Sequence, residues 1–155
     1  MEKTQDKRAC RYVETPIGPM TLVARGEALV EARFGGFPIF HESPLLDLAE
    51  QELKEYFTRR RRTFDLPIAP QGTPFQLRVW EEVCKIPYGE TRAYIDIACA
   101  LGNEKACRAV GRANNRNPLP VFVPCHRVVG KDGSLVGYAG GMAAKKWLLR
   151  LEQER

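Results

Sequence analysis

Two prolines and a glycine fall within the seven residues from Leu66 to Gly72, and they split the chain into halves with different hydrophobic patterns. Proline fixes φ and removes a backbone donor, so a run this rich in it does not continue a helix or an inner strand. The split predicts an N-terminal unit over residues 1–66, a linker over 67–72 and a second unit over 73–155. Ahead of it, Tyr12-Val13, Thr21-Leu22-Val23-Ala24 and the run from Leu29 to Phe34 are separated by Pro16-Ile17-Gly18-Pro19 and by Arg25-Gly26-Glu27. Short apolar runs between turn residues predict a three-stranded antiparallel meander. Ser43-Pro44 then offers an N-cap with proline in the first turn, and Leu45, Leu46, Ala49, Leu53, Tyr56 and Phe57 follow at helical spacing. The run Arg59-Arg60-Arg61-Arg62 reads as the solvated end of that helix, where positive charge suits the dipole, rather than as a phosphate contact.

The second half opens on Thr73-Pro74-Phe75-Gln76, a capping-box pattern. Its helix turns Phe75, Val79, Trp80 and Val83 inward and stops before Pro87-Tyr88-Gly89. Two short helices follow, from about Thr91 to Leu101 and from an Asn103 cap to about Asn114, with Gly102 between them, which predicts a helix-turn-helix. On the second, Lys105, Arg108, Arg112 and Arg116 recur every three or four residues, while Ala106, Val110 and Ala113 form a separate apolar stripe. Ala109 and Gly111 are small, so this backbone is able to approach a groove closely. Residues 73–155 hold 13 Lys and Arg against 8 Asp and Glu, whereas residues 1–72 hold 11 of each. That asymmetry points to a polyanion partner for the second unit. A basic helix face is often no more than a solvated surface, and the pattern alone leaves the two readings evenly matched.

Beyond Asn117-Pro118-Leu119-Pro120, Val121-Phe122-Val123 reads as a short buried strand. Val128-Val129 and Leu135-Val136 read as the arms of a hairpin over the turn Lys131-Asp132-Gly133-Ser134. A helix from about Ala143 to Glu154 closes the chain on Trp147, Leu148 and Leu151. The fold class expected is α+β, with a small antiparallel-sheet domain followed by a mainly helical one.

The five cysteines, at 10, 84, 99, 107 and 125, are odd in number and contain no CxxC pair. Reduced thiols are therefore expected rather than a disulfide framework. With only two histidines, His41 and His126, no ligand set for a structural metal stands out, and none is expected. Cys84, Cys99 and Cys107 sit within helical patterns and read as buried, inert residues. Cys125 differs, lying between a proline and His126 at the end of an apolar run. A thiol must ionise to act as a nucleophile, and a histidine assists by lowering its pKa or taking its proton. Neighbours in a strand face opposite ways, so direct contact needs a turn, or else a water between them. No apolar run approaches the ~20 residues that span a bilayer. The charged first ten residues lack a secretory signal, so a cytoplasmic protein is expected.

Taken together, Pro124-Cys125-His126-Arg127-Val128, Asn117-Pro118 and Gly137-Tyr138-Ala139-Gly140-Gly141 resemble the O6-alkylguanine-DNA alkyltransferases. The likeness continues through Ile86-Pro87-Tyr88-Gly89-Glu90-Thr91, Ala109-Val110-Gly111 and Lys145-Lys146-Trp147-Leu148-Leu149. It covers residues 73–155 and extends more loosely to Thr15-Pro16-Ile17-Gly18-Pro19. The resemblance implies a ribonuclease-H-like first domain and a winged-helix-like second one. It implies transfer of the alkyl group from O6-alkylguanine, and from O4-alkylthymine, in duplex DNA to Cys125, once and without a cofactor. His126 would act through a water, Glu152 would orient it, and Asn117 would support the active-site turn. Tyr94 would protonate the departing base, and Arg108 would fill the space left by a nucleotide flipped out through the minor groove. Tyr138 and Ala139 would wall the guanine pocket, with Val128 beside them. Asn103, Ala106, Arg112, Ala113 and Lys131 would contact DNA.

A monomer with no obligate protein partner and no membrane association is expected. Three departures stand out: the zinc ligands of some relatives are missing, Ala139 replaces a hydroxyl residue, and Arg116 replaces a glycine. Three other readings compete. A lesion-sensing alkyltransferase-like protein would lack the acceptor Cys125. A cysteine hydrolase would leave Tyr94 and Arg108 unexplained. A transcription factor would leave Cys125 merely structural.

Overall fold

The computed structural model describes residues 7–135, 137–138 and 140–154. It divides the chain into two compact units, Met1–Gln71 and Gly72–Arg155. Among the described residues, no helix is long and apolar enough to cross a membrane.

In the first unit, strands β1 (Arg8–Val13), β2 (Met20–Arg25) and β3 (Ala28–Phe34) form an antiparallel sheet in chain order. Arg8 pairs with Arg25 and Val13 with Met20, and a bulge between Val23 and Ala24 shifts the pairing of β2 with β3. Helix α1 (Pro44–Phe57) starts where the Ser43 side chain accepts the Leu46 N–H at 3.2 Å. It buries Leu46, Ala49, Leu53 and Tyr56, as β2 and β3 bury Met20, Leu22, Leu29 and Ala32. Arg59 ends the helix in the left-handed region at φ 62°. The arginine run is only partly solvated: Arg61 is held by Glu55 at 3.0 Å and Asp65 at 2.9 Å, while Arg59, Arg60 and Arg62 are exposed.

In the second unit, helix α2 (Pro74–Cys84) begins with the reciprocal bonds of a capping box between Thr73 and Gln76. Helices α3 (Tyr94–Ala100) and α4 (Cys107–Asn115) form the helix-turn-helix. Gly102, at φ 79°, ends the first, and the Asn103 side chain accepts the Lys105 N–H to open a 3-10 turn leading into the second. The Trp80 indole donates to the Ala113 carbonyl at 2.8 Å, pinning α2 to α4. Helix α5 (Met142–Gln153) closes the unit and buries Ala144, Leu148 and Leu151.

Four expectations need correction. The chain is not yet helical at Thr91: Arg92–Ala93 forms strand β4, and an Asp96 carboxylate accepts the Ala93 N–H at 2.8 Å to start α3 one residue later. Val121-Phe122-Val123 is a turn rather than a strand, because the Val123 N–H reaches back to Leu119 and Val121 adopts φ 77°. Strand β5 (Val128–Val129) consequently emerges beside β4 and pairs with it in parallel, not in a hairpin. Leu135 is in no strand, and Val136 lies outside the described residues. Cys84 and Cys99 are exposed and Cys107 is half-buried, since their helices turn Val83, Ala98 and Val110 inward instead.

Candidate active site and nucleic-acid interface

Cys125 is 3% exposed and begins a single 3-10 turn, Cys125–Arg127. The turn follows from its surroundings. The Asn117 side chain donates to the Val123 carbonyl at 2.9 Å and accepts the Leu119 N–H at 2.9 Å, folding residues 119–123 back on themselves. Burial pushes the Cys125 thiol up to about 11, against a hydrogen bond from Asn117 and the nearby charge of Lys145, both of which favour the thiolate. At neutral pH the resting group is therefore a thiol that needs help to ionise.

That help stands next in sequence. His126 is fully buried, and its Nε2 lies 2.7 Å from Glu152 Oε2. Burial lowers the His126 pKa, outweighing the pull of Glu152. Burial on its own would raise Glu152, but hydrogen bonds from His126 and Arg127 bring it down to about 2. The pair is thus a neutral imidazole beside a carboxylate, with Nε2–H donating and Nδ1 left to handle a proton. Arg127 completes the cluster. Its Nε donates to Glu152 Oε1 at 2.8 Å, Nη2 to Oε2 at 2.9 Å and Nη1 to the Ile86 carbonyl at 2.7 Å. The Gly89 N–H adds a bond of 3.2 Å to Oε1, so the Pro87-Tyr88-Gly89 turn is fastened to α5.

Three more side chains converge from other elements. Tyr94, the first residue of α3, has a pKa raised by burial and by the Cys125 charge, and lowered by a hydrogen bond with Asn114. Tyr138 is raised well above the ordinary range, first by burial and then by the charges of Cys125 and Glu152. Lys145 is 0% exposed on α5, and its ammonium donates to the Val128 carbonyl at 2.7 Å. Burial lowers its pKa, while Cys125 pulls the other way. Among the described residues no group of three or more His, Cys, Asp or Glu is placed to hold a metal ion.

The helix-turn-helix presents Asn103, Lys105, Arg108, Arg112 and Arg116 on an exposed face, with Ala106 half-buried at its edge. A cleft of about 260 Å³, lined by Gln76, Arg112 and Arg116 among others, runs along it. Lys131 is exposed on the turn after β5. Two expected contact residues expose little surface. Ala113 is buried at the edge of that cleft, its carbonyl taken by the Trp80 indole, and Val128 is buried with its carbonyl turned to Lys145. Ala139 lies outside the described residues. A larger cleft, about 840 Å³, lies in the first unit; Arg11, Phe40, Asp47 and Glu50 help line it, and no cysteine does.

Sequence reasoning missed Arg127, Lys145 and Asn114. Two of them were within reach. Ala144, Lys145, Leu148, Leu151 and Glu152 share one helical face, so both charges belonged to an apolar stripe. Arg127, set in the apolar run Val121 to Val129, carried the same warning.

Residues 74–154 match the family model described as 6-O-methylguanine DNA methyltransferase, DNA binding domain, and residues 9–70 match its ribonuclease-like domain. The chain belongs to the 6-O-methylguanine DNA methyltransferase family. Within that family it is 56% identical over 113 residues to the constitutive methylated-DNA–protein-cysteine methyltransferase of Bacillus subtilis (strain 168), covering 72% of this chain and 68% of that protein. A methylated-DNA–protein-cysteine methyltransferase of Methanosarcina barkeri is 44% identical over 149 residues, covering 91% of this chain and 94% of that one. Among solved structures, a Mycobacterium tuberculosis OGT in complex with DNA superposes with a TM-score of 0.85 at 42% identity, covering 93% and 92% of the two chains.

Proposed function

We propose that this methyltransferase-family chain repairs duplex DNA directly, by moving the alkyl group of O6-alkylguanine onto Cys125, once per molecule. The observation that carries the reading is a buried thiol with a histidine–carboxylate pair at its side, in the same unit as an exposed basic helix. Phosphate contacts from Lys105, Arg112 and Arg116 would hold the duplex by charge, without reading sequence. A stacked, paired guanine hides its O6 from any side chain, so the nucleotide is turned out of the helix, at a cost of a few kcal/mol. Arg108 fills the space it leaves, and the small residues Ala109 and Gly111 let α4 lie close in the minor groove.

The chemistry then balances. His126 takes the Cys125 proton through one water, and the Lys145 ammonium stabilises the thiolate. Sulfur bonds to the alkyl carbon as the bond from that carbon to O6 breaks. Tyr94 delivers a proton to the departing base, and the His126 proton restores the phenol. The product is a thioether that no residue in the site is equipped to hydrolyse. An O4-alkylthymine presents the same bond and falls under the same reading. The protein acts as a monomer, since one chain supplies every group.

Intact mass after incubation with duplex DNA bearing O6-methylguanine tests this. A gain of about 14 Da, one methyl for a hydrogen, is expected on Cys125 and absent in Cys125→Ser. Repeated turnover by one molecule, or no gain by folded protein, overturns it.

A further inference from the structure

Arg127 is an unexpected residue for its place. It is 7% exposed within the run from Val121 to Val129, every residue of which is buried. A buried charge costs free energy unless it is paired, and an apolar side chain of similar size would fill the space at less cost. What the guanidinium contributes is therefore its bonds. Nε and Nη2 grip the two oxygens of Glu152 at 2.8 and 2.9 Å, in a flat fork that a lysine cannot make. The fork is itself anchored, since Nη1 donates to the Ile86 carbonyl at 2.7 Å and the Tyr88 ring stands 5.7 Å from the guanidinium carbon. Counting the bonds at Glu152 then shows where one hydrogen lies. Oε1 accepts from Arg127 and from the Gly89 N–H, while Oε2 accepts from Arg127 and meets His126 Nε2. An ionised carboxylate has about four acceptor sites and nothing to donate, so all of them are in use. The hydrogen between Oε2 and Nε2 belongs to the imidazole, and Nδ1 is its proton acceptor.

We infer that Arg127 is a positioning residue: by gripping both oxygens of Glu152 it sets His126 as a neutral base that returns its proton once the sulfur is alkylated. The inference rests on the alkyl-transfer reading above. The charged and titratable groups around His126 are Glu152 and Lys145 on α5, and Cys125 and Arg127 in its own turn. A carboxylate alone would hold an imidazolium in place. Here its charge is shared with an arginine that never deprotonates. While Cys125 is a thiolate, the imidazolium has a second counter-charge. Alkylation removes it, and the imidazolium is then left with two cations and one carboxylate. Burial, Arg127 and Lys145 all disfavour that charge, against Glu152. The proton moves on, restoring Tyr94 after the phenol has protonated the guanine.

The test begins with the parent chain, by nitrogen NMR of histidine-labelled protein, with the His41 signals identified by their loss in His41→Asn. His126 should be neutral at pH 7 with its hydrogen on Nε2. A hydrogen on Nδ1, or a charged ring, overturns the inference whether or not any variant folds. Arg127→Gln, which removes the charge, and Arg127→Lys, which keeps the charge and loses the fork, are then compared with the parent. Single-turnover transfer from free O6-benzylguanine is followed across pH. Arg127→Gln should slow transfer by roughly 10²-fold at pH 7. Its acid limb, where His126 takes up a proton, should move up by about one pH unit or more, because the pull of Glu152 is no longer offset. In Arg127→Lys the acid limb should stay near that of the parent. Transfer by Arg127→Gln at the parent rate, or slowed transfer with an unmoved acid limb, overturns the inference. A parent protein that transfers nothing overturns the alkyl-transfer reading itself, whichever nitrogen of His126 carries the hydrogen.

Discussion

Glu152 sets one carboxylate oxygen 2.7 Å from Nε2 of His126, with both side chains buried. The same carboxylate takes two bonds from Arg127, so one group orients the histidine and neutralises the arginine. Removing its charge strands a buried cation. Glu152→Gln is expected to destabilise the protein by about 3–5 kcal/mol, read from the denaturant midpoint. Transfer measured under folding conditions should slow as well. A variant as stable as the parent would show that Arg127 finds its compensation elsewhere.

Acid should act on the same pair in two stages. His126 is lowered below its ordinary 6.5, so the unfolded chain binds its proton first, and stability falls as the pH drops below about 6.5. Glu152 is lowered from 4.5 to about 2; its contribution is complete above 4.5 and is lost as the pH falls toward 2. Thermal midpoints measured across this range should decline continuously. A flat profile from pH 6.5 to 3 contradicts the assignment.

The exposed arginines divide by role. Arg108→Ala should weaken repair of duplex DNA while leaving reaction with free O6-benzylguanine near the parent rate. Equal losses on both substrates refute its part in holding the flipped state. Arg112→Ala and Arg116→Ala should each reduce the salt dependence of DNA binding by about one unit of slope. Unchanged slopes would remove them from the phosphate contacts.

Thiol access offers a fourth check. Cys99 is exposed and Cys125 buried, so a general alkylating reagent should label Cys99 well ahead of Cys125. Peptide mass mapping would reveal the order. With O6-benzylguanine the order should reverse, because Cys125 alone has the surrounding groups. Early labelling of Cys125 by the general reagent would show that the site opens unaided.

Much of this was legible in the residues themselves. Ser43 and Thr73 announced their helices because capping is local chemistry, complete within four residues. Cys125, His126 and Glu152 stood out once several motifs fell in order. The turn at Val121 did not. A Val-Phe-Val run has every propensity for a strand, and only the two Asn117 bonds and the reach from Val123 back to Leu119 hold it otherwise. Asn114 escaped for a related reason: its partner, the Cys125 carbonyl, belongs to another element, so no spacing within α4 discloses it. Cys84 and Cys99 misled because an apolar neighbourhood in sequence says nothing of which side of the helix a thiol occupies.

Glu152 follows His126 by 26 residues and stands on the last helix described. During synthesis the acceptor and its histidine are joined to the chain before the carboxylate is. Until α5 docks, His126 has no anchor, Lys145 is not beside the sulfur, and Arg127 lacks its counter-charge. The reactive centre is therefore complete only when α5 is in place, and the nucleophile is unarmed without that helix.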